Sequence, residues 1–178
     1  MQASFSNTAI AVESLPRLTE NEFVAVERAY LWLRLLSVIG FSVFLLTAVV
    51  IAPNAGVDLS GLQVSLALAA IVVLTVLVAI LTWLEVGRRG YLVREHDYSY
   101  RSGLLRQSVV TIPFSRVQNV AVDRGPLVRA FGLANLRLFS AGGGLTTMGL
   151  STGDAQHLKS FVVERARVIA DEEQDARR

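Results

Sequence analysis

LLSVIGFSVFLLTAVVIA (residues 35–52) and LQVSLALAAIVVLTVLVAILTWL (residues 62–84) decide the architecture of this chain. Neither run contains Asp, Glu, Lys or Arg. About 20 apolar residues of helix cross the hydrocarbon core of a bilayer, and both runs are of that order. The second holds fourteen Leu, Ile or Val. At roughly 0.3–0.6 kcal/mol each, these favour insertion by about 4–8 kcal/mol. Gln63, Ser65, Thr75 and Thr82 do not cancel that, since hydroxyls bond to helix carbonyls. A buried helix of a soluble protein is rarely apolar on every face over such a length. Only nine residues, 53–61, separate the runs. The pattern predicts a transmembrane helical hairpin with spans at about 33–52 and 62–84.

The flanks predict its placement. Arg34 opens the first run beside Tyr30 and Trp32, and Trp83 nearly closes the second. Indole and phenol rings suit the interface, and the long Arg stem snorkels to the headgroups. At mid-bilayer Arg34 would cost roughly 2.5–3.5 kcal/mol, so it reads as an interfacial anchor. A ligand-binding intramembrane Arg34 is the alternative. Arg17, Arg28 and Arg34 precede the hairpin, Arg88, Arg89 and Arg94 follow it, and the loop carries only Asp58. The positive-inside rule then places both termini in the cytoplasm and the loop outside. Arg34, Arg88 and Arg89 are the candidate contacts for lipid headgroups. The first 28 residues lack the basic start and apolar core of a cleavable signal, so the first span is expected to direct insertion. Thr19 and Glu22 fit a capping box that opens a helix at Glu20, with Phe23, Val26 and Tyr30 at helical spacing. That helix is either an extension of the first span or a surface-lying amphipathic segment.

Of the 178 residues, about 95 follow Trp83, enough for one small domain. The division expected is an N-terminal cytoplasmic segment at 1–29, the hairpin within 30–84, a domain at 88–170 and a charged, fraying tail at 171–178. The absence of cysteine excludes disulfides, a thiol nucleophile and Cys-ligated metal. Net charge is +2, and Lys159 is the only lysine among 17 basic residues.

After Arg89 the apolar residues alternate instead of running on. Period-2 alternation argues half-buried strands, read at 91–95, 97–102, 104–112, 116–123, 135–140 and 145–151. Ser102-Gly103, Ile112-Pro113, Arg124-Gly125-Pro126 and Gly142-Gly143-Gly144 punctuate them as turns. Residues 126–131 read as one helical turn, with Pro126 at its start and Gly132 at its end. From Ser151, capped with Asp154, an amphipathic helix carries Leu158, Phe161, Val162 and Ile169 on one face. Such a helix covers an open edge or end of a curled sheet.

These residues resemble a family. Tyr100-Arg101-Ser102-Gly103-Leu104-Leu105, then Ile112-Pro113 and Arg116-Val117-Gln118-Asn119-Val120, look like the start of a bacterial PH-like domain. Leu127-Val128-Arg129-Ala130-Phe131-Gly132-Leu133-Ala134, Leu136-Arg137-Leu138 and Ala141-Gly142-Gly143 continue the pattern. A hairpin ahead of one such domain is similar to the YdbS-like membrane proteins, a former domain-of-unknown-function family. The resemblance covers roughly residues 30–170. It implies a membrane α-helical hairpin followed by an α+β PH-like domain, with two curled antiparallel sheets and a C-terminal capping helix. Six strands are countable, and a seventh would come from splitting a longer one. The resemblance also implies a second membrane protein carrying several PH-like domains as partner, and it carries over no catalytic residue. No Lys-rich loop of the kind that binds inositides is present.

Other chemistry is weakly signalled. Gly149-Leu150-Ser151-Thr152-Gly153 matches the nucleophile-elbow pattern. The only downstream His157 lies about a turn and a half along the following helix, and Ser151 is better explained as its cap. Glu95, His96 and Asp97 are adjacent, so on a strand they would point to alternate faces, and a solvated turn explains them better than a metal site. Residues 88–137 hold nine arginines and three acids, a net of +6, either a membrane-facing surface or a scattered solvated set. No stacking platform of aromatics accompanies them, which disfavours nucleic acid. The expectation is a non-enzymatic interaction module without catalytic, cofactor or metal residues. It would contact membrane lipids, serve as a subunit of a membrane complex and be open to homo-oligomerisation. The alternatives are a membrane-stress or transport-associated component, with Gln63 and Ser65 as its polar groups, an anionic-lipid-binding module, and a Ser151 hydrolase.

Overall fold

The computed structural model describes residues 22–57 and 60–175. In chain order it contains β1 (Val24–Ala25), α1 (Arg28–Ile51), a 3-10 turn (Ala52–Ala55), α2 (Gly61–Gly87), β2 (Gly90–Val93), β3 (Asp97–Ser102) and β4 (Ser108–Pro113). A 3-10 turn (Phe114–Arg116) leads to β5 (Val117–Asp123), α3 (Pro126–Ala130), β6 (Leu133–Ser140), β7 (Gly143–Ser151) and α4 (Thr152–Asp175).

The hairpin is α1 and α2, both long and apolar enough to cross a membrane. Ser60 and Gln63 form a capping box at the start of α2. The Ser60 hydroxyl accepts from the Gln63 N–H at 3.3 Å, and Gln63 Oε1 accepts from the Ser60 N–H at 2.9 Å. Gln63 thus closes a helix end, satisfying an amide that would otherwise lack a partner. Midway along the hairpin, Thr75 Oγ1 lies 2.7 Å from Ser42 Oγ and 2.7 Å from the Ile71 carbonyl oxygen. Phe41, Phe44, Leu62 and Val73 face outward, as chains that meet lipid do.

The seven strands form two antiparallel sheets, ordered β1-β2-β3-β4 and β5-β6-β7. Among the described residues no ladder joins them, so this is an open pair of sheets rather than a closed barrel. Tyr98, Phe114, Leu136, Leu138, Leu150 and Val162 fill the space between sheets and α4 with almost no exposure. Phe161 of α4 meets Phe114 edge-on, centroids 6.0 Å apart, a contact worth about 0.5–1.5 kcal/mol beyond its burial. The Tyr98 hydroxyl reaches Thr147 Oγ1 at 2.8 Å, tying β3 of one sheet to β7 of the other inside the core.

The structure corrects four expectations. Thr19 and Glu20 lie outside the described residues, but residues 24–25 are strand, and the helix begins at Arg28. Helical spacing of Phe23 and Val26 is overridden because Val24 and Ala25 pair with Tyr91 and Gly90. The seventh strand therefore comes from ahead of the hairpin, not from splitting a longer strand, and the sheet takes in part of the N-terminal segment. β4 starts at Ser108 rather than 104, because Gly103 adopts φ +101 and turns the chain. A Cβ there would stand 2.1 Å from the Arg106 carbonyl oxygen, so only glycine fits. Finally, α4 continues through 171–175, where a fraying tail was expected.

Candidate functional site

The site is the joint where the hairpin enters the sheets. Arg89 lies just past α2, four residues from Glu85, a spacing that puts both side chains on one helical face. Its guanidinium makes a short charged hydrogen bond to Glu85. It also lies 3.3 Å from the Tyr30 hydroxyl, 3.5 Å from the Tyr100 hydroxyl and 3.7 Å from Met148 Sδ. The cation sits 5.6 Å from the centre of the Tyr30 ring, within cation–π range. Burial works against the Arg89 charge, but the Glu85 hydrogen bond and the neighbouring Tyr100 and Tyr30 outweigh it, holding the pKa above its ordinary value. Arg89 is therefore a permanent cation linking α1, α2, β3 and β7.

The aromatic side of the joint depends on a β-bulge. Ala134 pairs with Leu150, but Leu136 pairs with Thr147, so β7 spends one extra residue at Met148-Gly149. Gly149 takes φ +78, the left-handed geometry of a glycine bulge. The bulge presents bare backbone to α1, and a Cβ at Gly149 would stand 2.6 Å from the Tyr30 ring. The Gly149 carbonyl oxygen accepts the Glu27 N–H at 2.9 Å, immediately before α1. Val26, Tyr30, Leu33, Val86 and Leu133 then close into a second apolar cluster, with Val128 of α3 and Phe131 just after it packed against it. Both helices of the hairpin are thereby fixed to the sheets.

The three arginines marked by the sequence take different places. Arg34 is exposed, with one guanidinium nitrogen 3.9 Å from Glu85. Arg88 is exposed and donates to the Leu104 carbonyl oxygen at 3.1 Å. Arg89 is turned inward, its side chain 13% exposed, with its two terminal nitrogens engaged by Glu85 and the two tyrosines. Arg34 and Arg88 therefore stand at the surface, while Arg89 is held in the joint. Of the residues sequence reasoning missed, Glu85 had a legible signal in its spacing from Arg89. Tyr100, Met148 and Gly149 arrive only through strand pairing.

The remaining candidates stay apart. Ser151 Oγ accepts the Asp154 N–H at 3.0 Å and so caps α4. His157 is exposed on that helix. The His96 carbonyl oxygen accepts the Phe114 N–H at 2.9 Å, a loop contact. Among the described residues, no three His, Cys, Asp or Glu gather in a metal-ligating group.

A membrane hairpin joined to two antiparallel sheets with a C-terminal helix packed across them defines a membrane-borne PH-like protein. The model of the bacterial PH domain family matches residues 32–166, and the chain belongs to that family. It is similar to the UPF0699 transmembrane protein YdbS of Bacillus subtilis (strain 168), at 30% identity over 82 residues. That match covers 46% of this chain and 52% of the relative, about half of each. No solved structure matches.

Proposed function

We propose that this protein is a membrane-anchored interaction module, a non-catalytic subunit of a bacterial membrane protein complex, with its sheets on the cytoplasmic side of the plasma membrane. The observation that carries the reading is a groove of about 380 Å³ between α1 and α2, running from Arg34 to Leu45 along α1. Ser37, Ser42, Thr75 and Thr82 line it among apolar side chains. Small residues let a third helix approach closely, and the oxygens of Ser37, Ser42 and Thr75, whose protons go to the Leu33, Val38 and Ile71 carbonyls, can accept hydrogen bonds from it, the usual means of helix association in lipid. The partner that suits the groove is a second membrane protein, one with PH-like domains of its own. The joint at Arg89 makes the reading coherent, since a helix seated in the groove would fix the position of the sheets as well. Arg34 and Arg88 meet anionic headgroups, at about 1 kcal/mol each.

The test is extraction of the full-length protein from native membranes in mild detergent, followed by mass measurement of the recovered particles. A stable hetero-complex that Ser37→Leu dissolves, with the thermal midpoint of the chain unchanged, supports the proposal. A monomer from native membranes, or a complex indifferent to Ser37→Leu, counts against it. A particle containing only copies of this chain would replace the hetero-complex with a homo-oligomer.

A further inference from the structure

Leu105 is 99% exposed, yet it belongs to neither the hairpin nor a sheet face. One exposed leucine alone means little, and its position decides the matter. It stands at the tip of the β3–β4 turn, followed by exposed Arg106. Arg88, the residue that caps α2, holds that turn through the Leu104 carbonyl oxygen at 3.1 Å. The tip is thus kept within one side chain's reach of the point where α2 ends.

A second segment reaches the same level. Val128 of α3 and Phe131 just after it pack against the cluster of Tyr30, Leu33 and Val86 at the sheet-side ends of α1 and α2. From α3, Leu127 is 59% exposed, with exposed Arg124 and Arg129 on either side in sequence. Trp32 and Trp83, 65% and 60% exposed, mark this end of the hairpin as the interfacial belt. Two of the acids at this level are engaged, Glu85 by Arg89 and Asp123 by Arg137 at 2.8 Å, and exposed Glu27 stands in the same hollow as Arg28 and Arg88. Arg88, Arg106, Arg124 and Arg129 remain as a basic set at the membrane end. Arg94 instead pairs with Glu22 at 3.3 Å.

We propose that the β3–β4 turn and α3 are two feet by which the domain stands in the leaflet on its own side of the membrane. Leu105 and Leu127 enter the boundary between headgroups and acyl chains, and Arg88, Arg106, Arg124 and Arg129 bind the phosphates of anionic phospholipids. The proposal rests on the reading of the hairpin as the anchor, which brings both feet to the surface.

The chain contains no cysteine, so Gln107→Cys, Ala130→Cys or Ala141→Cys each gives a unique site for an environment-sensitive label in the full-length protein. Ala141, at the β6–β7 turn, is the control, because β6 carries the chain away from the Leu133 end. The protein is reconstituted in phosphatidylcholine vesicles with and without phosphatidylglycerol. Labels at 107 and 130 should shift to the blue and lose quenching by aqueous iodide, more so with phosphatidylglycerol, while the label at 141 stays open to iodide. Leu105→Ser should return the label at 107 to the behaviour of 141, and an exposed tip can be changed without disturbing the core. Quenching of Trp32 and Trp83 by lipid-borne quenchers reads the hairpin separately. Quenched tryptophans with the label at 107 as accessible as that at 141 would overturn the feet alone. Unquenched tryptophans would overturn the anchor and the feet together.

Discussion

Tyr98 has no exposed surface, and its hydroxyl meets Thr147. Burial raises its pKa well above the ordinary tyrosine value, more than the Thr147 hydrogen bond lowers it. Tyr100 is also raised by burial, against the opposing Arg89 charge. The unfolded chain loses these protons near pH 10, while the folded protein holds them to higher pH. The stability involved is whole below about pH 10 and is lost as pH rises through the folded values. Tyr98→Phe should cost about 1–3 kcal/mol at neutral pH by leaving the Thr147 hydroxyl buried alone. It should also flatten the alkaline loss. Unfolding followed by near-UV circular dichroism in detergent would check both, and equal alkaline slopes for the two proteins would refute the assignment. The alternation of Tyr98 with Tyr100, and of Leu136 with Leu138, was legible in the sequence and all four are buried. Ser99, on the opposite face of β3, is buried too, 2.7 Å from Thr111. Alternation assumes one wet face, so it gives no warning of a strand covered on both sides.

Among the elements, strands with several alternating residues and helices with long apolar runs announce themselves, because each residue repeats the signal. β1 has two residues and no period, and its partner β2 lies beyond the whole hairpin. The bulge in β7 is equally silent: a run of glycines marks the hairpin turn, but Gly149 looks like any other glycine until Tyr30 is placed against it. Gly149→Ala tests that element. Both the left-handed φ and the 2.6 Å approach to Tyr30 oppose a methyl group, so a loss of at least about 1–3 kcal/mol is expected. Gly142→Ala meets nothing closer than 4.0 Å, at Ser140 Oγ, and has no positive φ. It should be close to neutral. Thermal melts of the two variants in one detergent would separate them, and a neutral Gly149→Ala would show that α1 can retreat from β7.

For the whole molecule, the pairing of β1 with β2 adds an argument that charge counting lacks. The two strands flank the hairpin in sequence and lie side by side in one sheet, so both ends of the hairpin occupy one side of the membrane. Which side is set by the arginines at those ends. An impermeant maleimide should label Val57→Cys on intact cells and Ala141→Cys only after permeabilisation. The reverse pattern would invert the protein. The hairpin and the PH-like class were legible because lipid and strand periodicity both leave long patterns. The Arg89 joint was not, since its members come from four elements and only Glu85 and Arg89 are close in sequence.

β1 leaves the ribosome before the spans, and its partner follows 65 residues later, from Ala25 to Gly90. At roughly 5–20 residues per second, that is a delay of about 3–13 s. During this interval the first strand waits while the hairpin passes into the bilayer. The sheet is completed only if the second span returns the chain to the side it left, so a chain with a single inserted span would keep its first strand unmatched. Pairing of Val24 and Ala25 with Tyr91 and Gly90 is thus possible only for a chain whose crossings come in an even number, and a single crossing would leave the two strands on opposite sides of the bilayer.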